Sequence, residues 1–173
     1  MPDDKKLKPL AEMVFVSEIV TQYMFAEKAA SRLEDFSDHI EVWSSIQSIL
    51  IAVANISKIL WPAQGKYLAR GKQLRTLLGI DDDNILSDRK FRNHFEHYDE
   101  RIEDWFENNK SSVYLDFRID PFKPTILSLQ QFSHRSYNSA TRTLFFRNES
   151  IDLSAIFTAL TEIREKCRIY GFQ

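Results

Sequence analysis

Residues 49–56 read ILIAVANI, and seven of those eight side chains are apolar. They sit inside a longer segment in which Trp43, Ile46, Ile49, Leu50, Val53, Ile56, Ile59 and Leu60 recur at spacings close to a helical turn. A helix that is apolar on nearly every side has no stable place on a surface, so it belongs at the centre of a bundle. Ser37 or Asp38 supplies a start signal, because either side-chain oxygen can accept from an unpaired N–H of the first turn. Trp61-Pro62 supplies the stop. The longest apolar stretch, Ile46 to Ile56, is interrupted by Gln47, Ser48 and Asn55 and falls short of the roughly 20 residues that cross a bilayer, so no membrane association is expected.

The flanking segments provide partners for that central helix. Residues 10–37 carry Leu10, Met13, Val14, Val16, Ile19, Val20, Tyr23 and Met24 at helical spacing, which predicts a long amphipathic helix. A shorter helix is predicted over Gly65–Leu78, ending at Gly79, a residue that tolerates the positive φ of a helix terminus. A fourth follows the acidic turn DDDN, from Ile85 or Ser87 to Asn108. Helical periodicity then gives way to alternation in SVYLDFRID, closed by Pro121 and Pro124, and to the β-forming TRTLFFR after the turn-like SYNSA. Two or three short strands, including a hairpin, are expected there. Asp152 caps a last helix ending near Gly171. Phe145 and Phe146, being adjacent, should face opposite sides of their strand.

The totals agree. The 173 residues suit one domain, four glycines and five prolines favour helix, and a net charge of −2 leaves no global field toward nucleic acid or anionic lipid. One cysteine, Cys167, excludes an internal disulfide framework and a cysteine-rich zinc site, and is expected in the core. With no apolar leader segment, the expected location is the cytoplasm.

One stretch carries candidate chemistry: RNHFEHYDER, residues 92–101. On a helix, Phe91, Phe95, Tyr98, Ile102, Trp105 and Phe106 gather on one side as a core-facing stripe. Arg92, Asn93, Glu96, His97, Glu100, Glu103 and Asp104 take the other, which by itself is what any bundle helix shows to water. Residues 96–107 hold six carboxylates and a single arginine, however, and two of the chain's four histidines are His94 and His97. An acidic run of this kind favours the protonated form of a nearby imidazole. For His94, packing or hydrogen bonding is the expected role.

Arg92 to His97 fits the R-x4-6-H pattern of the HEPN superfamily (higher eukaryotes and prokaryotes nucleotide-binding domains), with a polar residue, Asn93, directly after the arginine. The chain therefore resembles a HEPN-like up-and-down helical bundle over residues 10–109, with a small β-hairpin insert at about 112–148 before a C-terminal helix at 152–170, in one domain spanning 1–173. The resemblance implies a metal-independent endoribonuclease or RNA-binding protein in a toxin-antitoxin, phage-defence or RNA-processing setting. It implies His97 as general acid or base, Arg92 as the phosphate-binding cation and Asn93 as an orienting group. It also implies a homodimer, because the active site of that family forms between two copies. An antitoxin or a nucleotidyltransferase is an implied partner, and no cofactor is. The residue types suit the chemistry, since cleavage through the 2′-hydroxyl needs proton transfer near neutral pH and a cation beside the phosphate. On one straight helix Arg92 and His97 project about 140° apart, so a second copy is needed to aim both at one phosphate.

Other constellations are weaker. His94-x2-His97 has metal-ligand spacing, but a bundle site needs ligands from several helices, and paired Glu-x-x-His motifs are absent, so no metal is expected. Lys66, Arg70, Lys72 and Arg75, with Arg89 and Lys90, suggest a basic rim for an RNA backbone, set against the simpler reading of a solvated face. Arg135, Arg142 and Arg147 are further candidates for it. The chain shows no nucleophile elbow and no glycine-rich phosphate loop. The rival reading is a noncatalytic module for dimerisation or protein interaction.

Overall fold

A computed structural model describes residues 6–34, 37–88, 90–111, 113–120 and 132–171, without the side chains of Glu34, Lys90, Phe91 and Arg92. Arg89, Pro121 and Pro124 lie outside the described residues, as does the 121–131 portion of the expected β insert.

The first helix, α1, spans Pro9–Ala30 and continues into one 3₁₀ turn at Ser31–Glu34, and α2 spans His39–Leu60. The cap falls on Asp38, whose carboxylate accepts from the backbone N–H groups of Ile40 and Glu41. Arg32 Nε reaches Ser45 Oγ at 3.3 Å, and Asn55 Nδ2 reaches Gln22 Oε1 at 3.2 Å. Contacts that descend one helix while climbing the other make the pair antiparallel. Val16, Ile19, Val20 and Tyr23 of α1 share one core with Ala52, Ile56, Ile59 and Leu60 of α2.

That core is closed by α3 (Leu68–Leu78), through Leu74 and Leu78, and by the C-terminal helix, through Ile156, Ala159, Leu160, Ile163 and Cys167. Gly71 sits inside α3 because a Cβ there would lie 2.4 Å from Pro62 Cδ and 2.6 Å from the Leu60 carbonyl; the helix presses against the end of α2. Gly79 ends α3 in the left-handed conformation, at φ 61°, as the sequence predicts. Among the described residues no side chain between 90 and 108 joins this core, so its fourth wall is the C-terminal helix and not the RNHFEHYDER segment. The helical core therefore extends well past residue 109.

The expected fourth helix is three pieces: a 3₁₀ turn at Ile85–Ser87, α4 at Lys90–Glu96 and α5 at Tyr98–Asn108, with a kink at His97. The expected hairpin is a four-stranded sheet, β1 (Arg118–Ile119), β2 (Arg135–Asn138), β3 (Thr143–Phe146) and β4 (Glu149–Asp152), ordered β1-β2-β3-β4. β2, β3 and β4 form an antiparallel meander, and β1 joins β2 in parallel with Ile119 opposite Tyr137. The alternation in SVYLDFRID yields only two paired strand residues and a bridge from Leu115 to Ser133. Phe117 has φ 54°, and the Asp116 carboxylate accepts from the Phe117 and Arg135 N–H groups, so an aspartate turn interrupts the strand. Asp152 caps the last helix, α6 (Leu153–Cys167), by accepting from Ser154 N.

The sheet builds a second core on the other half of α2, where Val42, Trp43, Ile46 and Leu50 meet Tyr137, Leu144, Phe146 and Leu153. Phe146 is buried and Phe145 is half-buried, as their alternation requires. Among the described helices α2 alone is long and apolar enough to span a bilayer, and 56% of that stretch is buried within the fold.

Candidate functional site

Phe95 and Tyr98 pack against the sheet-side core, and His94 lies flat on Phe146, with ring centroids 4.4 Å apart and planes 8° apart. His94 Nε2 is 3.2 Å from Glu149 Oε2, so its role is packing and ion pairing. Trp105 anchors the far end of α5 against His134 and Tyr114. The break in the helix falls between these two contacts, at His97. His97 takes φ −114° and ψ 40°, while its N–H still donates to Asn93 and its carbonyl still accepts from Arg101. No proline or glycine is involved.

The kink changes the geometry read from the sequence. A uniform 100° per residue does not run through His97, so the 140° separation from Arg92 does not apply. It also shifts the phase of the apolar stripe: Trp105 is buried and Ile102 half-buried, but Phe106 is exposed and stacks on Tyr114. The structure places the Arg92 backbone on α4; its side chain is outside the described residues. Asn93 is half-buried on α4. The His97 side chain is 51% exposed, with Nδ1 at 3.2 Å from Glu100 Oε1. In the tautomer that donates from Nδ1 to Glu100, Nε2 is the acceptor nitrogen. His94 and His97 thus turn to different carboxylates, and among the described residues no three His, Cys, Asp or Glu groups converge as a metal would need.

Two residues of the basic rim, Arg70 and Arg75, make structural bonds. Arg70 Nη2 donates to the Lys58 carbonyl at 2.9 Å and lies over Phe15 and Tyr67, where burial depresses its pKa. Arg75 pairs with Asp82 at 2.7 Å and donates to the Leu60 carbonyl. Both arginines satisfy carbonyls at the end of α2, where a cation also complements the helix dipole. Lys66 remains exposed over the Tyr67 ring. Arg89 and the Lys90 side chain lie outside the described residues.

Sequence reasoning missed the most highly organised polar group in the fold. Asp116 and Arg135 pair with both carboxylate oxygens engaged, at distances down to 2.5 Å, and both side chains are about six-sevenths buried. The guanidinium is sandwiched between Tyr98 and Phe117, 3.5 and 3.9 Å from their centroids. The Tyr98 hydroxyl donates to Asp116 at 2.7 Å and meets Tyr114 Oη at 2.5 Å. Burial works to raise the Asp116 pKa, but the Arg135 guanidinium and the Tyr98 hydroxyl outweigh it and hold the carboxyl below its ordinary value. Burial, then the bonds to Tyr114 and Asp116, push the Tyr98 phenol upward. His134, 1% exposed, is stacked on Tyr114, and burial followed by Arg147 lowers its pKa to about 4. Arg147 Nε approaches His134 Nδ1 at 3.4 Å and Nη2 donates to the Arg101 carbonyl at 2.6 Å. This cluster anchors α5 to the sheet, and through Tyr98 it fixes the residue next to the kink. A run of aromatic, arginine and histidine residues in the strand region was the only sequence signal for it.

No family model, curated protein or solved structure matches this chain.

Proposed function

We propose that the chain is a HEPN-like, metal-independent endoribonuclease or RNA-binding protein that works as a homodimer, with Arg92, Asn93 and His97 as its polar centre. The observation that carries this reading is His97 itself: an exposed imidazole at a helix kink, carboxylate-paired on Nδ1, with neighbours His94, Phe95 and Tyr98 all anchored inward. Inward anchors on both sides hold an outward base in place, which is what a proton-transfer group requires. In the reaction, the His97 imidazole takes the proton from a ribose 2′-hydroxyl as its oxygen attacks the adjacent phosphorus. The bond from phosphorus to the 5′-oxygen breaks, and that oxygen takes its proton from the imidazolium, which restores the neutral ring and leaves a cyclic phosphate and a free 5′-hydroxyl. Arg92 neutralises the charge that develops on the phosphate, and Asn93 orients one of the two. An antitoxin or nucleotidyltransferase would be its natural partner in a cytoplasmic toxin or phage-defence system.

Purified protein incubated with mixed RNA in EDTA should cleave it, and His97→Ala and Arg92→Ala should each reduce the rate by about 100-fold or more. Absence of cleavage by the wild type, or equal cleavage by all three, overturns the enzymatic reading. The second reading, a noncatalytic dimerisation module, is favoured by the commitment of Arg70 and Arg75 to structural bonds, which reduces the basic surface available to RNA.

A further inference from the structure

One face of α1 remains apolar yet faces solvent. Leu10 is 71% exposed, Val14 59% and Phe25 57%, with Met13 and Met24 about half exposed beside them. A helix in a small monomeric bundle normally turns a polar face outward, so a second apolar stripe on α1 calls for a partner. We propose that this face is a homodimer interface in which α1 packs antiparallel on α1 of a second copy, about a two-fold axis passing between Ser17 and Thr21. The proposal supplies the second copy on which the ribonuclease reading rests.

The order of residues along the stripe selects the occupant. Leu10, Met13, Val14 and Ser17 are followed by Thr21, Met24, Phe25 and Lys28, and reversing the helix about its midpoint sets Ser17 on Thr21, Val14 on Met24, Met13 on Phe25 and, at each end, Leu10 on Lys28, whose methylene stem can cover it. An isologous interface must be complementary to itself, and this stripe is. Small residues at the crossing let two backbones approach to the 8–10 Å that helix packing requires, and larger apolar pairs close the interface on either side. At the crossing, Thr21 Oγ1 already donates to the Ser17 carbonyl at 3.0 Å, so covering Thr21 leaves its donor satisfied.

The face continues onto α2. Phe25 and Ile51, the latter 53% exposed, border a cavity of about 370 Å³ between the two helices, also lined by Gln22, Lys28, Ser48 and Ala52. Together these side chains carry the apolar face from α1 across onto α2. Two turns beyond Ile51 on the same side of α2, Lys58 reaches Glu96 of α4 at 3.3 Å, so the helix carrying Arg92 and Asn93 borders this flank.

The test is a charge exchange across the axis. By sedimentation equilibrium the wild-type chain at about 10 µM should run at twice its chain mass. Val14→Glu and Met24→Lys should each stay folded, because both positions are exposed, and each should weaken association by about 100-fold through burial of an unpaired charge. An equimolar mixture of the two variants should regain the dimer, because residue 14 of one chain faces residue 24 of the other. A monomeric wild type, an unaffected dimer in either single variant, or no recovery in the mixture overturns the proposal. His97→Ala and Arg92→Ala should leave association unchanged, so failure of RNA cleavage on an intact dimer counts against the ribonuclease reading alone.

Discussion

On one half of α2 the chain packs mainly aliphatic groups, among them Ile19, Ile56, Leu60, Leu74, Leu160 and Ile163, with Arg75 bonded to the Leu60 carbonyl at their edge. On the other half it builds a sheet whose edge toward α5 is held by Asp116, Arg135, Tyr98, Tyr114 and His134. The aliphatic side gains stability from removing apolar area from water, a non-directional effect that tolerates small shifts. The polar side depends on geometry, because each buried charge or hydroxyl is costly unless its partner is in place. The first half holds helices together; the second fixes direction, and it is there that the kink at His97 is set.

This contrast can be broken from either side. Asp116→Ala leaves Arg135 buried without its carboxylate and should cost about 4 kcal/mol, read by urea unfolding. Replacing both partners, Asp116→Leu with Arg135→Met, should recover most of that loss; recovery of none would show that the pair is not acting as a unit. Leu160→Ala, in the aliphatic half, should cost about 3.5 kcal/mol, and no compensating second substitution of the charged kind exists for it. The two losses should add in a combined variant, because the sites share no partner.

Acid should separate the halves further. His134 titrates near 4 in the folded chain against about 6.5 when unfolded, so between those values the unfolded chain binds more protons. Its contribution is fully present above about pH 6.5 and is lost as pH falls toward 4, reaching about 3 kcal/mol. His134→Leu should flatten the acid limb of a stability-against-pH profile by one proton, and an unchanged slope would remove His134 from that account. The smallest effect belongs to the exposed stripe: Val14→Ser should change the stability of the isolated chain by under about 0.5 kcal/mol, measured at dilutions where it is monomeric. A larger loss would place Val14 in the intrachain core.

How much of this was legible depended on how local the cause was. Helix α2, its Asp38 cap, the Gly79 terminus and the Asp152 cap follow from periodicity and from side chains bonding within three residues, and all stand. The split of the fourth helix was hidden, because residues 85–108 contain no proline or glycine, and the contacts of His94 with Phe146 and of Trp105 with His134 on either side of it are remote in sequence. The intrachain acceptors of Arg70 and Arg75, the carbonyls of Lys58 and Leu60, were hidden for the same reason, since they lie on another helix.

The sequence alone determined that α1, α2, α3 and the last helix are helical and that α2 is central. Tertiary structure decided which helix closes the bundle, why an aspartate turn ends the first strand early, and where His97 points. Periodicity and capping are written in neighbouring residues, whereas burial of a charge, the choice of an anchor and the direction of a kink depend on groups many positions away.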